Sequence, residues 1–157
     1  MQEKERALDK ALRALAGRAR SEGEILEKLR RAGFAEETIA QTMAQLDRAG
    51  LLDDEAFAGA WAAARARRAV GPHRIAHELR QKGVDAQTAS LALESVDGDE
   101  ALAAAAALAA RYLRRGGENV ERRALAALQR RGYGYDDARR ALEKAHAETQ
   151  ENELFPR

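Results

Sequence analysis

The chain has 157 residues, enough for one domain or several small modules, and its net charge of only +1 argues against general nucleic-acid binding. The absence of cysteine excludes disulfides, thiolate metal sites and cysteine nucleophiles. Only 28 residues are Leu, Ile, Val or Phe, so the core must be thin, which suits small helices packed side by side. No apolar run approaches the roughly 20 residues that span a bilayer and no secretory leader is evident, so we expect a soluble, cytoplasmic protein.

The first third of the chain has the pattern of three short helices. Residues 4–19 favour a helix that ends near Ser21, and the next helix ends on the sequence LRRAGF at 29–34. That sequence combines an apolar anchor, a basic last turn and Gly33, which suits a helix end because glycine adopts positive φ without a Cβ clash. A third helix follows an acidic start, and its apolar stripe consists of Ile39, Met43 and Leu46.

The same pattern returns twice further along the chain. The sequences LRQKGV and LQRRGY place Gly83 and Gly132 at spacings of 50 and 49 residues from the preceding cap glycine. Each follows a further helical segment, and each precedes an apolar helical stripe. These stripes consist of Ala89, Leu93 and Val96, then of Ala138, Leu142 and Ala145. Since no segment alternates like a β-strand, the sequence predicts an all-α fold of three tandem three-helix, helix-turn-helix-like repeats.

The predicted repeats occupy residues 1–50, 51–98 and 99–147, and we expect a flexible tail at 148–157. In the second repeat, Gly71-Pro72 indicates the start of a helix, because proline is tolerated at the first helical position.

Two histidines, His73 and His77, lie four residues apart and could present two imidazoles on one helix face. The one further ligand type nearby is Glu78, which points about 100° away from His77 on a helix. The order H-x-x-x-H-E is not the HExxH motif, and no nucleophile elbow or phosphate-binding loop is present. We therefore predict surface histidines, no metal, no cofactor and no enzyme activity.

Basic residues concentrate in two segments of the chain. Residues 65–82 contain six basic and one acidic side chain, and residues 111–131 contain seven basic and two acidic side chains. The negative ends of helix dipoles explain cations in last turns, but they do not explain the shortage of acids. We predict a contact surface for an anionic partner, protein or DNA. Its residues are Arg65, Arg67, Arg68, Arg74, Arg80, Lys82, Arg111 and Arg114.

Most of the aromatic residues are interpreted as packing residues, and two are candidates for binding bases. Phe57 and Trp61 lie four residues apart after an acidic helix start, and we predict that they anchor the packing between repeats, alongside the three cap glycines. Tyr133 occupies the core-facing position after its cap glycine, which leaves Tyr112 and Tyr135 as candidates for stacking on bases.

An ordered set of residues in the middle repeat resembles the RecX family, the regulators of the RecA recombinase. The set comprises Asp53-Asp54, Phe57, Trp61, Arg65, Gly71-Pro72, Arg74-Ile75 and Glu78-Leu79. The resemblance covers roughly residues 8–147. Two positions depart from the family pattern: Ala14 stands where an aromatic residue is frequent, and Gly116-Gly117-Glu118 replaces a single glycine–apolar join.

The resemblance implies an elongated, curved array of repeats and a non-enzymatic modulator, mostly an inhibitor, of RecA. Such a protein binds in the groove of the RecA–DNA filament and restrains ATP hydrolysis and strand exchange, in homologous recombination, DNA repair and the SOS response. The implied partners are the RecA filament and single- or double-stranded DNA; we expect no membrane contact and a monomer.

The alternative is a stand-alone helix-turn-helix-like DNA-binding protein. The acidic starts of the helices that follow the cap glycines argue against it, because such a helix would enter a groove lined by phosphates. A hydrolase is less favoured still, since catalytic groups are lacking.

Overall fold

The computed structural model describes residues 2–157, and this part of the chain forms nine α-helices and no β-strand. Repeat 1 contains α1 (Glu3–Gly17), α2 (Glu22–Arg31) and α3 (Glu36–Arg48). Repeat 2 contains α4 (Asp54–Arg67), α5 (Pro72–Gln81) and α6 (Ala86–Glu94). Repeat 3 contains α7 (Gly98–Arg115), α8 (Val120–Arg130) and α9 (Tyr135–Leu154). The all-α fold predicted from the sequence is confirmed.

Helix α9 is longer than the sequence pattern predicted. It continues to Leu154, so residues 148–154 of the expected tail are helical, although most of their side chains are exposed. The flexibility of residues 148–157 stays a prediction, as do the exact limits of the three repeats.

Local capping explains where the middle helix of each repeat (α2, α5 and α8) starts and stops. At the start of α2, the Ser21 hydroxyl accepts a hydrogen bond from the Glu24 amide, and the Glu24 carboxylate accepts one from the Ser21 amide. The three middle helices all end before a glycine in the left-handed region. The φ angles of Gly33, Gly83 and Gly132 are +83°, +78° and +99°.

Each repeat has its own apolar core. The core of repeat 1 is built from large aliphatic side chains such as Ile25 and Leu29, which are fully buried against the alanines of α1. Repeat 3 instead packs the alanines of α7 and α9 around Leu128 and Tyr133. All nine residues of the three predicted apolar stripes are buried or half-buried, although Val96 lies beyond α6, which ends at Glu94. In repeats 1 and 3 the small alanine side chains let the helices approach closely.

The middle helices α2 and α5 meet end to end. The Ser21 hydroxyl at the start of α2 donates a 2.6 Å hydrogen bond to the carbonyl oxygen of Lys82 at the end of α5. A Cβ atom on Gly23 would lie 2.5 Å from that same oxygen and 2.9 Å from the Cα of Gly83. Glycine is required here because the two backbones nearly touch.

Helices α5 and α8 meet in the same way. The amide of Gly71 donates to the carbonyl oxygen of Arg131 at 2.8 Å, and the amide of His73 donates to that of Gly132 at 3.1 Å. The Arg131 guanidinium also donates to the carbonyl oxygens of Arg68, at 2.6 Å, and Ala69, at 2.9 Å. Helix α4 packs beside α7 as well, so repeats 2 and 3 are joined along their sides and at this junction.

Candidate partner-binding grooves

Two basic grooves lie at the two junctions between repeats. The first groove, between repeats 1 and 2, has a volume of about 950 Å³, and the second groove, between repeats 2 and 3, has one of about 490 Å³. Of the predicted contact residues, Arg80 and Lys82 line the first groove, whereas Arg67, Arg68, Arg74 and Arg111 line the second groove. Arg65 and Arg114 line neither.

The second groove is lined by six arginines and by no carboxylate. These are Arg67, Arg68, Arg74, Arg111, Arg130 and Arg131. Within residues 2–157 none of them forms an ion pair. Alanines, Leu108 and Tyr112 supply its apolar wall. Uncompensated like charges in a concave surface create a positive potential, so this groove is suited to an anionic partner.

The first groove carries a more balanced charge. Its lining cations are Lys10, Arg20, Lys28, Arg31, Arg80 and Lys82, and its lining acids are Glu24, Glu27 and Glu78. Glu27 pairs with Arg31 at 2.8 Å, and Glu24 lies 3.6 Å from the Lys82 ammonium. The sequence reasoning missed the four cations from repeat 1, since only the end-to-end junction brings them beside Arg80.

Arg65 is held inside the protein by an ion pair. Its Nε and Nη2 donate to the two carboxylate oxygens of Glu78 at 3.0 and 2.9 Å. The side chains of Arg65 and Glu78 are only 26% and 17% exposed, so the pair ties α4 to α5. Arg114 differs, because it is exposed in the last turn of α7.

Trp61 and Lys82 form part of the wall of the first groove. The Trp61 ring stacks on the buried Phe57 ring at a centroid distance of 6.0 Å. The Lys82 ammonium lies 4.4 Å from the centroid of the Trp61 ring. The indole N–H of Trp61 is buried without a hydrogen-bond partner among residues 2–157. Lys82 thus covers an aromatic surface and is half-buried, which leaves its charge less available than that of Arg80.

Glu24 is the carboxyl that links the charges at the first junction. Burial is the largest single effect and opposes its ionisation, but the hydrogen bonds from Arg18 and from the Ser21 amide, together with the positive charges of Lys82 and Arg18, outweigh it. The pKa of Glu24 is therefore lowered from its ordinary value of 4.5.

The three tyrosines lie in different environments. Tyr133 is buried in the core of repeat 3, as predicted, and burial raises its pKa to about 12. Tyr112 lines the second groove with the Arg115 guanidinium 5.9 Å from its ring centroid. Tyr135 is 56% exposed and lies outside both grooves, so the geometry favours Tyr112 for stacking.

The histidine pair does not form part of a larger ligand cluster. Within residues 2–157 no group of three or more His, Cys, Asp or Glu side chains is placed to hold a metal ion. Over the same part of the chain, none of the helices combines the length and the apolar character needed to cross a bilayer.

Comparison with known proteins identifies the family of this three-repeat architecture. Family models for the first and second three-helix domains of RecX match residues 7–46 and 53–93. The regulatory protein RecX of Chlorobaculum tepidum is 36% identical over 140 residues, which are 88% of each chain. That of Mycobacteroides abscessus is 38% identical over 148 residues, covering 88% of this chain and 72% of the relative.

Solved structures show the same fold. The crystal structure of RecX from Lactobacillus salivarius matches with a TM-score of 0.84 at 21% identity, covering 92% of this chain and 97% of that one. A second crystal structure of regulatory protein RecX gives a TM-score of 0.77 at 24% identity, covering 86% of this chain and 69% of the other. The chain belongs to the RecX family of regulatory proteins.

Proposed function

We propose that this protein restrains the RecA recombinase by binding in the groove of the RecA–DNA filament, without catalysing a reaction of its own. Membership of the RecX family supports the regulatory role. The lining of the second groove supports this mode of binding, because it contains six arginines and no carboxylate. An anionic surface is the partner that relieves this concentration of like charge.

Arginine is well suited to such a contact. Its guanidinium is always charged and can form two parallel hydrogen bonds to a carboxylate or a phosphate. Arg67, Arg68, Arg74 and Arg111 are all exposed, so they reach a partner without breaking an internal ion pair. These four arginines are the primary contact residues that we propose.

Two grooves along one array allow simultaneous contacts with neighbouring protomers of a filament. A second contact made within an existing complex benefits from a high effective concentration, so two grooves that each bind weakly can together give tight binding. A protein that bridges protomers binds best to one filament conformation and so disfavours the others. We propose that bridging in this way hinders the ATP-driven transitions of the filament.

The nature of the anionic partner decides the response to salt. If the arginines contact DNA phosphates, the logarithm of the affinity falls steeply and linearly with the logarithm of the salt concentration. If they contact acidic side chains of RecA, the dependence is weaker and the binding is specific to the protein partner.

A stand-alone DNA-binding protein is the less supported alternative. In a helix-turn-helix protein the third helix of each unit would enter the major groove with its N-terminus facing the bases. The first turns of α3 and α9 carry Glu36 and Glu37, and Asp136 and Asp137. Carboxylates at these positions would repel the phosphates of a duplex.

The direct test is a titration of RecA ATPase activity on single-stranded DNA with this protein at fixed salt. We expect inhibition at substoichiometric amounts while RecA stays on the DNA, measured in parallel by fluorescence anisotropy of the labelled strand. No inhibition, combined with tight and sequence-selective binding to duplex DNA, would favour the alternative.

A further inference from the structure

The C-terminal turn of α2 is a third copy of the surface that both junctions use. At Gly83 and Gly132 an added Cβ would meet the neighbouring repeat, at 3.0 Å from the Cα of Gly23 and 2.5 Å from the Cβ of Arg74. Gly33 has the same left-handed conformation, with φ of +83°, but a Cβ there would meet no atom of residues 2–157 within 4 Å. The α2 turn thus has the shape of the α5 and α8 turns at the two junctions, but no neighbouring repeat among the described residues packs against its glycine.

The hydrogen-bonding groups of this turn are also available. In the two junctions the carbonyl oxygens of Lys82, Arg131 and Gly132 accept hydrogen bonds from the start of the neighbouring middle helix. By position, Ala32 and Gly33 carry the corresponding carbonyl oxygens in repeat 1. Over residues 2–157, neither accepts a bond from another segment of the chain. A helix N-terminus is the natural partner, because its amides are unsatisfied and its dipole end is positive.

A second copy of this chain does not supply the matching helix start. The starts of α2 and α5 offer Ser21 and Gly71, both small, whereas the equivalent position of α8 holds Val120. Its preceding residue, Asn119, has φ of +54°, and Arg123 in α8 donates a 2.5 Å hydrogen bond to the carbonyl oxygen of Gly116. The loop before α8 is thus folded onto its own helix, and this end of the array is closed.

We propose that the α2 turn binds the N-terminus of an α-helix on a recombinase protomer, with glycine or serine at its first position. The contact would continue the end-to-end stacking of the middle helices beyond repeat 1, and it rests on the proposed function. Ala32 stands at the position of Lys82 and Arg131, whose side chains clamp the internal junctions, so this turn offers its backbone oxygens without such a clamp.

The test compares substitutions at two equivalent alanines. Ala32 and Ala49 are both exposed, both end a helix of repeat 1, and both precede a glycine with positive φ. Ala32→Trp places bulk on the proposed contact, and we expect it to raise the concentration needed for half-inhibition of RecA ATPase by about fivefold or more. Ala49→Trp should change this concentration less than about twofold, because it lies away from the contact. Ala32 also lines the first groove, so Gln81→Trp adds the same bulk to an exposed residue elsewhere in that groove and should raise this concentration less than Ala32→Trp does.

A gain of binding provides the second arm. Ala32→Arg introduces the counterpart of Arg131, whose guanidinium holds two carbonyl oxygens across the α5–α8 junction. We expect Ala32→Arg to lower the half-inhibiting concentration more than Ala49→Arg, which adds the same charge elsewhere, and more than Gln81→Arg, which adds it within the first groove. Effects at Ala32 that are no larger than those at a control position, for the arginines and for the tryptophans, would overturn the proposed contact while the proposed function stands.

Failure of the wild-type protein and of Ala49→Trp to inhibit would instead overturn both proposals. Analytical ultracentrifugation of the same variants tests whether a second copy of the chain binds the turn instead. An Ala32→Trp substitution that abolishes self-association but leaves inhibition unchanged would assign the turn to a second copy of the chain, against the proposal.

Discussion

The amide of Gly71 donates a 2.8 Å hydrogen bond to the carbonyl oxygen of Arg131, joining the start of α5 directly to the end of α8. The junction between α2 and α5 repeats this arrangement through Ser21 and Lys82. Successive repeats are therefore held together by backbone groups at closely approaching glycines, as well as by side chains. The grooves lie at these junctions, so their shape depends on the junctions.

Gly71→Ala tests the second junction. A Cβ at this position would lie 2.2 Å from the carbonyl carbon of Gly132, so the two helices must separate. We expect the free energy of unfolding in urea to fall by about 1–3 kcal/mol. Gly59→Ala is the matched control, since it lies inside α4 with no heavy atom within 4 Å of the added Cβ. That substitution should raise the stability by about 0.5–1 kcal/mol, and a loss as large as that of Gly71→Ala would contradict this interpretation.

Glu24→Gln tests the charges at the first junction. Because the pKa of Glu24 is lowered in the folded protein, ionisation of this carboxyl stabilises the fold above its ordinary pKa of 4.5. That contribution is lost as the pH falls from 4.5 through the lowered value. We expect Glu24→Gln to reduce the urea midpoint at pH 7 and to lose less stability than the wild type between pH 5 and pH 3, by circular dichroism. Parallel pH profiles for the two proteins would show that Glu24 is not favourably ionised.

The sequence predicted the parts of the fold that depend on local interactions. The glycine after each middle helix and the spacing of apolar residues report on single helices, and residues such as Ile39, Leu46 and Leu142 do face the cores. The period of the cap glycines then indicated three equivalent units. These signals are local or periodic, so they can be read without knowing how the repeats pack.

The junctions and the division of the basic residues between two grooves could not be predicted. Arg65 and Glu78 meet only because α4 and α5 pack against each other, so a residue expected on a contact surface lies in an internal ion pair. Lys10 and Arg20 reach the first groove through the α2–α5 contact, and repeat 1 has 10 basic and 9 acidic side chains, a near balance that does not single them out.

A double-mutant cycle on Arg65 and Glu78 tests the internal role of that pair. Because both side chains are largely buried and share two hydrogen bonds, we expect a coupling free energy of about 1–2 kcal/mol from urea unfolding of Arg65→Ala, Glu78→Ala and the double variant. A coupling near zero would assign Arg65 to the exposed contact surface.

Trp61 is the one tryptophan of the chain and reports on the first groove. Removing the Lys82 ammonium from its ring should weaken the fold by about 0.5–1 kcal/mol and shift the emission of Trp61 to longer wavelength, since the ring becomes more hydrated. Lys82→Ala is the test, and Lys28→Ala is the control, because Lys28 lines the same groove but is not one of the cations over the Trp61 ring. Equal emission spectra for both variants would show that Lys82 does not cover Trp61.

The most direct measurement of the central claim is RecA ATPase inhibition by a variant with Arg67→Glu, Arg68→Glu and Arg74→Glu in the second groove. The control is Arg6→Glu, Arg48→Glu and Arg122→Glu, which makes the same change in charge at exposed arginines outside both grooves. With helical content unchanged in both, we predict that the groove variant needs at least about tenfold more protein for half-inhibition, while the control stays within about twofold. Equal inhibition by the two variants would contradict the account.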